Sequence, residues 1–197
     1  MSILEKLQHR IHQGQNIHYT DNPRYSEGIE RISKQEKSGI VMLGDSHIST
    51  GEWRGWANQG IGNDSTAGVL NRIDLVKRVS PHTCFIQIGI NDVERGVAEG
   101  RIIANISTIC KNLLDAGIRV GLMGIFRVHP FYPNASQINM KVIAINDRLE
   151  KIKGIQFIPI HLPSNMYLGD YIHFTPAGYD HIINRLNETL FVWKPKR

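Results

Sequence analysis

The chain has 197 residues, enough for one domain with a sizeable core. Hydrophobic residues make up 41% and charged residues 21%, which excludes a disordered chain. No apolar run approaches the roughly 20 residues that a membrane span needs. The formal net charge of +5 admits an anionic partner. Lys and Arg are scattered, however, and the one dense basic patch is the terminal Lys194-Pro195-Lys196-Arg197, so no nucleic-acid partner is expected.

In chain order, residues 1–36 read as a helical appendage packed on the core, and residues 37–197 as the main domain. Ile3, Leu4, Leu7 and Ile11 recur at helical spacing, and a second segment from Tyr25 to Glu36 follows the breaker Asp21-Asn22-Pro23. Met1 to Gln15 lacks the apolar centre of a signal peptide, so a cytoplasmic protein is expected, and the four Asn-x-Ser/Thr triplets then carry no weight. His9, His12 and His18 lack companion ligands and read as surface residues rather than a metal site.

Ile40-Val41-Met42-Leu43 reads as a buried strand, with Gly44-Asp45-Ser46-His47 just past its carboxyl end. Trp53 to Asn58 alternates and is taken as a second strand. The glycine-rich turn Gln59 to Thr66 opens a helix reaching about Val79, with Asp64 or Ser65 as its cap. Thr83 to Gly89 is a third strand ending in Gly89-Ile90-Asn91-Asp92, and a long amphipathic helix runs from about Ala98 to Ala116, stopped by Gly117. Arg119 to Ile125 is the fourth strand, followed by a longer loop to Asn134. A helix from about Gln137 to Lys151 leads to a fifth strand at Ile155–Ile160, and Thr175-Pro176 begins the last helix. Cys84 and Cys110 sit in apolar contexts without Cys-x-x-Cys spacing and read as buried free thiols. Strands alternating with helices give an α/β domain of three layers around a parallel sheet.

Ligands of open α/β sheets bind beyond the carboxyl ends of the strands. At that edge the chain offers Ser46, the turn Gly62-Asn63-Asp64, Asn91-Asp92, and the late pair Asp170 and His173. On its own, Ser46 reads as a helix cap ahead of a nucleophile. As a nucleophile it needs a base and an orienting group, which His173 and Asp170 can supply. An oxyanion needs fixed donors, available from backbone N–H groups at Ser46 and the turn and from the Asn91 amide; losing one such donor typically costs about 3 kcal/mol of transition-state stabilisation.

Gly44-Asp45-Ser46, Asn58-x-Gly60-Ile61-x-x-Asp64, Gly89-x-Asn91-Asp92 and Asp170-x-x-His173, in this order from about Gly39 to Leu190, resemble the SGNH (GDSL-type) hydrolase family. The resemblance implies a flavodoxin-like three-layer α/β/α sandwich with a five-stranded parallel sheet. It implies Ser46 as nucleophile, His173 as base, Asp170 as its partner, and Ser46, Asn63 and Asn91 as oxyanion donors, with Gly62 a substitute donor. The implied function is a serine esterase acting on a small or short-acyl ester, for instance an O-acetyl group on a saccharide, through an acyl-serine and without metal or cofactor. An acyltransferase with an alcohol acceptor, or a catalytically silent binding module, are the alternatives. Ile90, Arg127 and Tyr132 are expected to border the substrate, with His129 and Phe131 nearby on the same loop. Two positions depart from the family pattern. His47 stands where Leu is usual and is expected at the surface of the helix start, and Asn63 stands where a glycine usually precedes the Asp.

Overall fold

The computed structural model describes residues 21–192. Residues 1–20, with the first expected helix and His9, His12 and His18, lie outside the described residues, as does the basic tail. Five parallel strands, β1 (Ile40–Gly44), β2 (Ala57–Gly60), β3 (Thr83–Gln87), β4 (Arg119–Met123) and β5 (Gln156–Ile158), form one sheet in the order β2-β1-β3-β4-β5. The helices are α1 (Tyr25–Ser33), α2 (Ser46–Ser49), α3 (Thr66–Asn71), α4 (Ile73–Arg78), α5 (Ile90–Glu94), α6 (Glu99–Asp115), α7 (Ala135–Leu149) and α8 (Pro176–Val192). This is the three-layer α/β architecture expected from the sequence.

Strand periodicity divides the core. Val41 and Leu43, Cys84 and Ile86, and Val120 and Leu122 point into one layer, where α6 lays down Ile102, Ile106, Ile109 and Leu113 and α7 lays down Val142, Ile145 and Leu149. The alternate residues Met42, Phe85 and Met123 join Ile158 and meet Ile182, Ile183 and Leu186 of α8. Each fully buried aliphatic of this kind contributes about 2 kcal/mol, so the two layers are held by their sum. Cys84 and Cys110 are buried free thiols, and burial pushes the Cys110 thiol up to about 12.

The register positions the site. Gly44 lies opposite Gly60 on one side and Gln87 on the other, so β1, β2 and β3 end level and release their following segments at one edge. The chain passes from β1 to β2 on one side and returns to β3 on the other, which opens a crevice at that edge.

Three elements differ from the sequence expectation. The second strand begins at Ala57, because Trp53 turns inward and donates Nε1–H to the Ile48 carbonyl at 2.8 Å, while Arg54 and Gly55 take left-handed φ values of 49° and 90° that no strand contains. The helix expected to reach Val79 breaks at Arg72 into α3 and α4. The fifth strand stops at Ile158, before a proline that could not donate to a ladder. On the outer side of β2, Arg31 of α1 donates to the carbonyls of Asn58 at 2.8 Å and Gly60 at 2.5 Å. Gln35 donates to Asn58 as well, at 2.7 Å.

Candidate active site

Ser46 is presented by a turn that needs glycine before it. A Cβ on Gly44 would lie 1.9 Å from the Gln87 carbonyl oxygen, so only glycine lets β1 run this close to the end of β3. Asp45 caps the short helix α2, its Oδ1 accepting the His47 N–H at 3.0 Å. Capping therefore falls to Asp45, and Ser46, first residue of the helix, keeps its hydroxyl for another partner. Its N–H lies in the first turn, where no intrahelical acceptor exists.

That partner arrives from the loop before α8. An antiparallel bridge between Tyr167 and Phe174, with the Leu168 N–H donating to the His173 carbonyl at 2.8 Å, closes the loop. Tyr171 within it has a left-handed φ of 64°. Asp170 Oδ1 accepts the N–H groups of Ile172 at 3.1 Å and His173 at 2.9 Å. Its Oδ2 accepts His173 Nδ1–H at 2.7 Å, and His173 Nε2 faces Ser46 Oγ at 2.9 Å. Partial desolvation raises the Asp170 pKa, but the bonds from the His173 ring and the two backbone N–H groups outweigh it and hold the carboxyl below its ordinary range. A carboxylate thus orients an imidazole whose free nitrogen can take the serine proton. This is the arrangement that activates a hydroxyl for attack on a carbonyl.

The expected donor turn follows β2. Asp64 N–H donates to the Ile61 carbonyl at 3.2 Å, closing a four-residue turn in which Asn63 has φ 62°. Glycine is the usual residue at such a position and asparagine the best tolerated substitute. The added side chain is drawn aside: Arg95 donates to Asn63 Oδ1 at 2.5 Å and to its carbonyl at 3.0 Å. Gly62 lies against Arg24, and its carbonyl accepts Asn22 Nδ2–H at 2.9 Å. Asn91 enters on α5 after Gly89, whose φ of 126° makes the sharp exit from β3. One amide N–H of Asn91 donates to the Asp64 carbonyl at 2.9 Å, which fixes the side chain and leaves the second N–H for a ligand.

Behind these loops lies a polar framework that no spacing in the sequence signals. Arg72, at the break between α3 and α4, is 2% exposed. It donates to Asp64 Oδ2 at 3.0 Å, the Gln59 carbonyl at 2.9 Å and the Gly44 carbonyl at 3.0 Å. One side chain so ties together the ends of β1 and β2 and the turn carrying Asn63. Asp92, next to Asn91, accepts the N–H and the hydroxyl of Thr66.

One expected position falls differently, and three others are placed as follows. His47 is not at the surface: it is 1% exposed, stacked on Phe174 with ring centroids 4.8 Å apart. The Ile90 side chain is 1% exposed and packs in the core. Arg127 lines a cavity of about 220 Å³ with Ile143, Asp147, Glu150 and His161, none of them part of the Ser46–His173–Asp170 set. Tyr132 donates its hydroxyl to Glu94, binding the loop after β4 to α5. His129 and Phe131 do approach the site, since His129 stacks on Tyr171 at 5.2 Å and Phe131 meets the same ring edge-on. Among the described residues no group of three or more His, Cys, Asp or Glu side chains could hold a metal ion, and no helix is long and apolar enough to cross a membrane.

Solved structures share this frame. A protein of Bacteroides fragilis NCTC 9343 described as an acylhydrolase superposes with a TM-score of 0.71 at 22% identity, covering 89% of this chain and 98% of its own. A GDSL-like lipase from Bacteroides thetaiotaomicron VPI-5482 gives 0.72 at 20% identity, with 85% and 97% covered. The psychrotrophic esterase EstA from Pseudoalteromonas sp. gives 0.61 at 19%, with 78% and 97% covered. At these identities the likeness is one of fold. No curated protein sequence matches the chain. The family is fixed by sequence instead: the model of the GDSL-like Lipase/Acylhydrolase family matches residues 22–181, a stretch that contains every residue gathered at the sheet edge, and the chain is a member of that family.

Proposed function

We propose that the chain is a serine esterase that hydrolyses a small or short-acyl ester through an acyl-serine intermediate. The observation that carries this is the unbroken relay from Ser46 Oγ to His173 Nε2 at 2.9 Å and from His173 Nδ1 to Asp170 Oδ2 at 2.7 Å. Ser46 Oγ attacks the ester carbonyl as His173 Nε2 takes its proton. Asp170 keeps the ring in the required tautomer and offsets the imidazolium charge. The tetrahedral oxyanion is received by the N–H groups of Ser46 and Asn63 and by the second amide N–H of Asn91. Collapse breaks the ester C–O bond, His173 returns the proton to the departing alcohol, and water repeats the sequence to release the acid and restore Ser46.

One of the structural relatives, the Pseudoalteromonas esterase, is described as inhibited by monoethylphosphonate, and a phosphonate is the natural probe here. Wild type is expected to hydrolyse nitrophenyl acetate and to gain one covalent phosphonyl group, read by mass spectrometry. Ser46→Ala is expected to lose turnover by on the order of 10⁵-fold or more, and all labelling, with an unchanged circular dichroism spectrum. Turnover retained in that variant would remove the assignment.

A further inference from the structure

His47 is the residue at which this chain departs from the usual Gly-Asp-Ser-Leu, and the structure gives it an unusual set of neighbours. Its Nε2 lies 2.9 Å from the Ile172 carbonyl oxygen, and its Nδ1 lies 3.2 Å from Asp45 Oδ1. Its ring stacks on Phe174 and meets Phe126 edge-on, 5.6 Å away. A carbonyl oxygen only accepts, so Nε2 must carry a proton. The same Asp45 oxygen already accepts the His47 backbone N–H, which marks it as an acceptor towards Nδ1 too. A neutral imidazole has one N–H and would leave two lone pairs facing each other; a ring with two N–H groups satisfies both partners. Burial opposes that charge, but the Asp45 bond and field, the Ile172 carbonyl and the Glu94 carboxylate outweigh it and hold the His47 pKa above its ordinary value. The other titratable ring facing it is His173, 5.5 Å away.

The anchor points decide what such a bridge does. Asp45 directly precedes Ser46, and Ile172 directly precedes His173. We propose that His47 is a positioning residue for the esterase site: as an imidazolium joining the Asp45 carboxylate to the Ile172 carbonyl, it locks the Asp170–His173 loop onto the turn that carries Ser46. This rests on the esterase assignment of that site. Leucine at this position could fill the space between Phe126 and Phe174 but could donate to neither anchor, leaving the His173–Ser46 contact to join the loop to that turn without the bridge. A triad joined by single contacts of 2.9 and 2.7 Å is sensitive to a small displacement of the loop.

The test compares wild type, His47→Leu and His47→Gln by nitrogen-resolved NMR of the histidine rings and by nitrophenyl acetate kinetics across about pH 5 to about pH 9. In wild type the His47 ring is expected to hold two N–H groups at neutral pH and to lose one only above the titration of a free histidine. His47→Leu is expected to lower kcat by about 10- to 100-fold with little change in KM, and to shift the Asp170-bonded Nδ1 proton of His173. His47→Gln, whose amide can still donate to Ile172, is expected to recover part of kcat and to lack the fall in rate that wild type shows as His47 deprotonates at high pH. A His47 ring with one N–H at neutral pH would overturn the proposal. So would a His47→Leu enzyme with wild-type kcat and an unmoved His173 resonance. Should His47→Leu fail to fold, the His47→Gln pH profile and the wild-type spectrum decide. Should wild type neither turn over ester nor take up phosphonate, the esterase assignment falls, and the ring spectra still decide the state of His47 and its hold on His173.

Discussion

Asp92 shows how burial shifts one carboxyl behind the site. It is buried, its two oxygens accept the Thr66 N–H at 3.0 Å and hydroxyl at 2.8 Å, and burial pushes its pKa up to about 6. A carboxyl whose pKa is raised on folding binds its proton more tightly in the folded state. Its contribution to stability is therefore fully present at low pH and declines as pH rises from the ordinary value of 3.8 to about 6. Asp92→Asn is expected to remove about 2 kcal/mol of that pH dependence, measured as the difference in unfolding free energy from urea titrations near pH 4 and near pH 7 against wild type. At this scale the sequence was informative only where chemistry restricts residue type. Ser46, Asp170 and His173 were legible because a hydroxyl nucleophile needs an imidazole and a carboxylate, and few residues can serve. His47 and Arg72 were not, since beyond the carboxylates of Asp45 and Asp64 their partners are backbone carbonyls of Ile172, Gln59 and Gly44. Any residue supplies a carbonyl, so no pattern of side chains announces the contact.

The break between α3 and α4 is an element-scale feature with an evident cause. A continuous helix to Val79 satisfies the apolar periodicity, yet Arg72 leaves helical geometry, with φ −107° and ψ 14°, and bonds to β1, β2 and the Asn63 turn. Its ion pair with Asp64, both side chains within 1% exposure, leaves the acid uncompensated once the guanidinium is removed. Arg72→Met is expected to destabilise by about 3–5 kcal/mol in chemical denaturation. Residual activity per folded molecule should fall as well, because the Asn63 turn loses its anchor. The loop after β4 is held by a different device. Asn146 and Asn139, one heptad apart on α7, each bond both the N–H and the carbonyl of a loop residue, Ile125 and Val128 respectively. The helix containing them was legible from its periodicity, whereas the task of its polar positions was not, because a two-point amide bond depends on where the loop lies in space.

At the scale of the whole molecule, the parallel sheet and its layers followed from alternating strands and helices, and the order β2-β1-β3-β4-β5 places β2 and β5 at its margins. β5 contributes only three residues of ladder. β2 is the margin nearer the site, and its outward carbonyls at Asn58 and Gly60 are already taken by Arg31 and Gln35 of the segment before β1. An unpaired strand margin is a template on which another chain can build. The guanidinium and amide that close it therefore act outside this molecule's own stability: they deny a second copy the row of acceptors it would need to continue the sheet. Arg31→Ala is expected to fold with nearly native ellipticity and to self-associate more than wild type in sedimentation at matched concentration. An unchanged sedimentation profile would show that the margin is closed by other means. Greater association of that variant would mark Arg31 and Gln35 as a guard against intermolecular sheet growth, sparing the strand that leads into the Asn63 turn from being recruited by its neighbours.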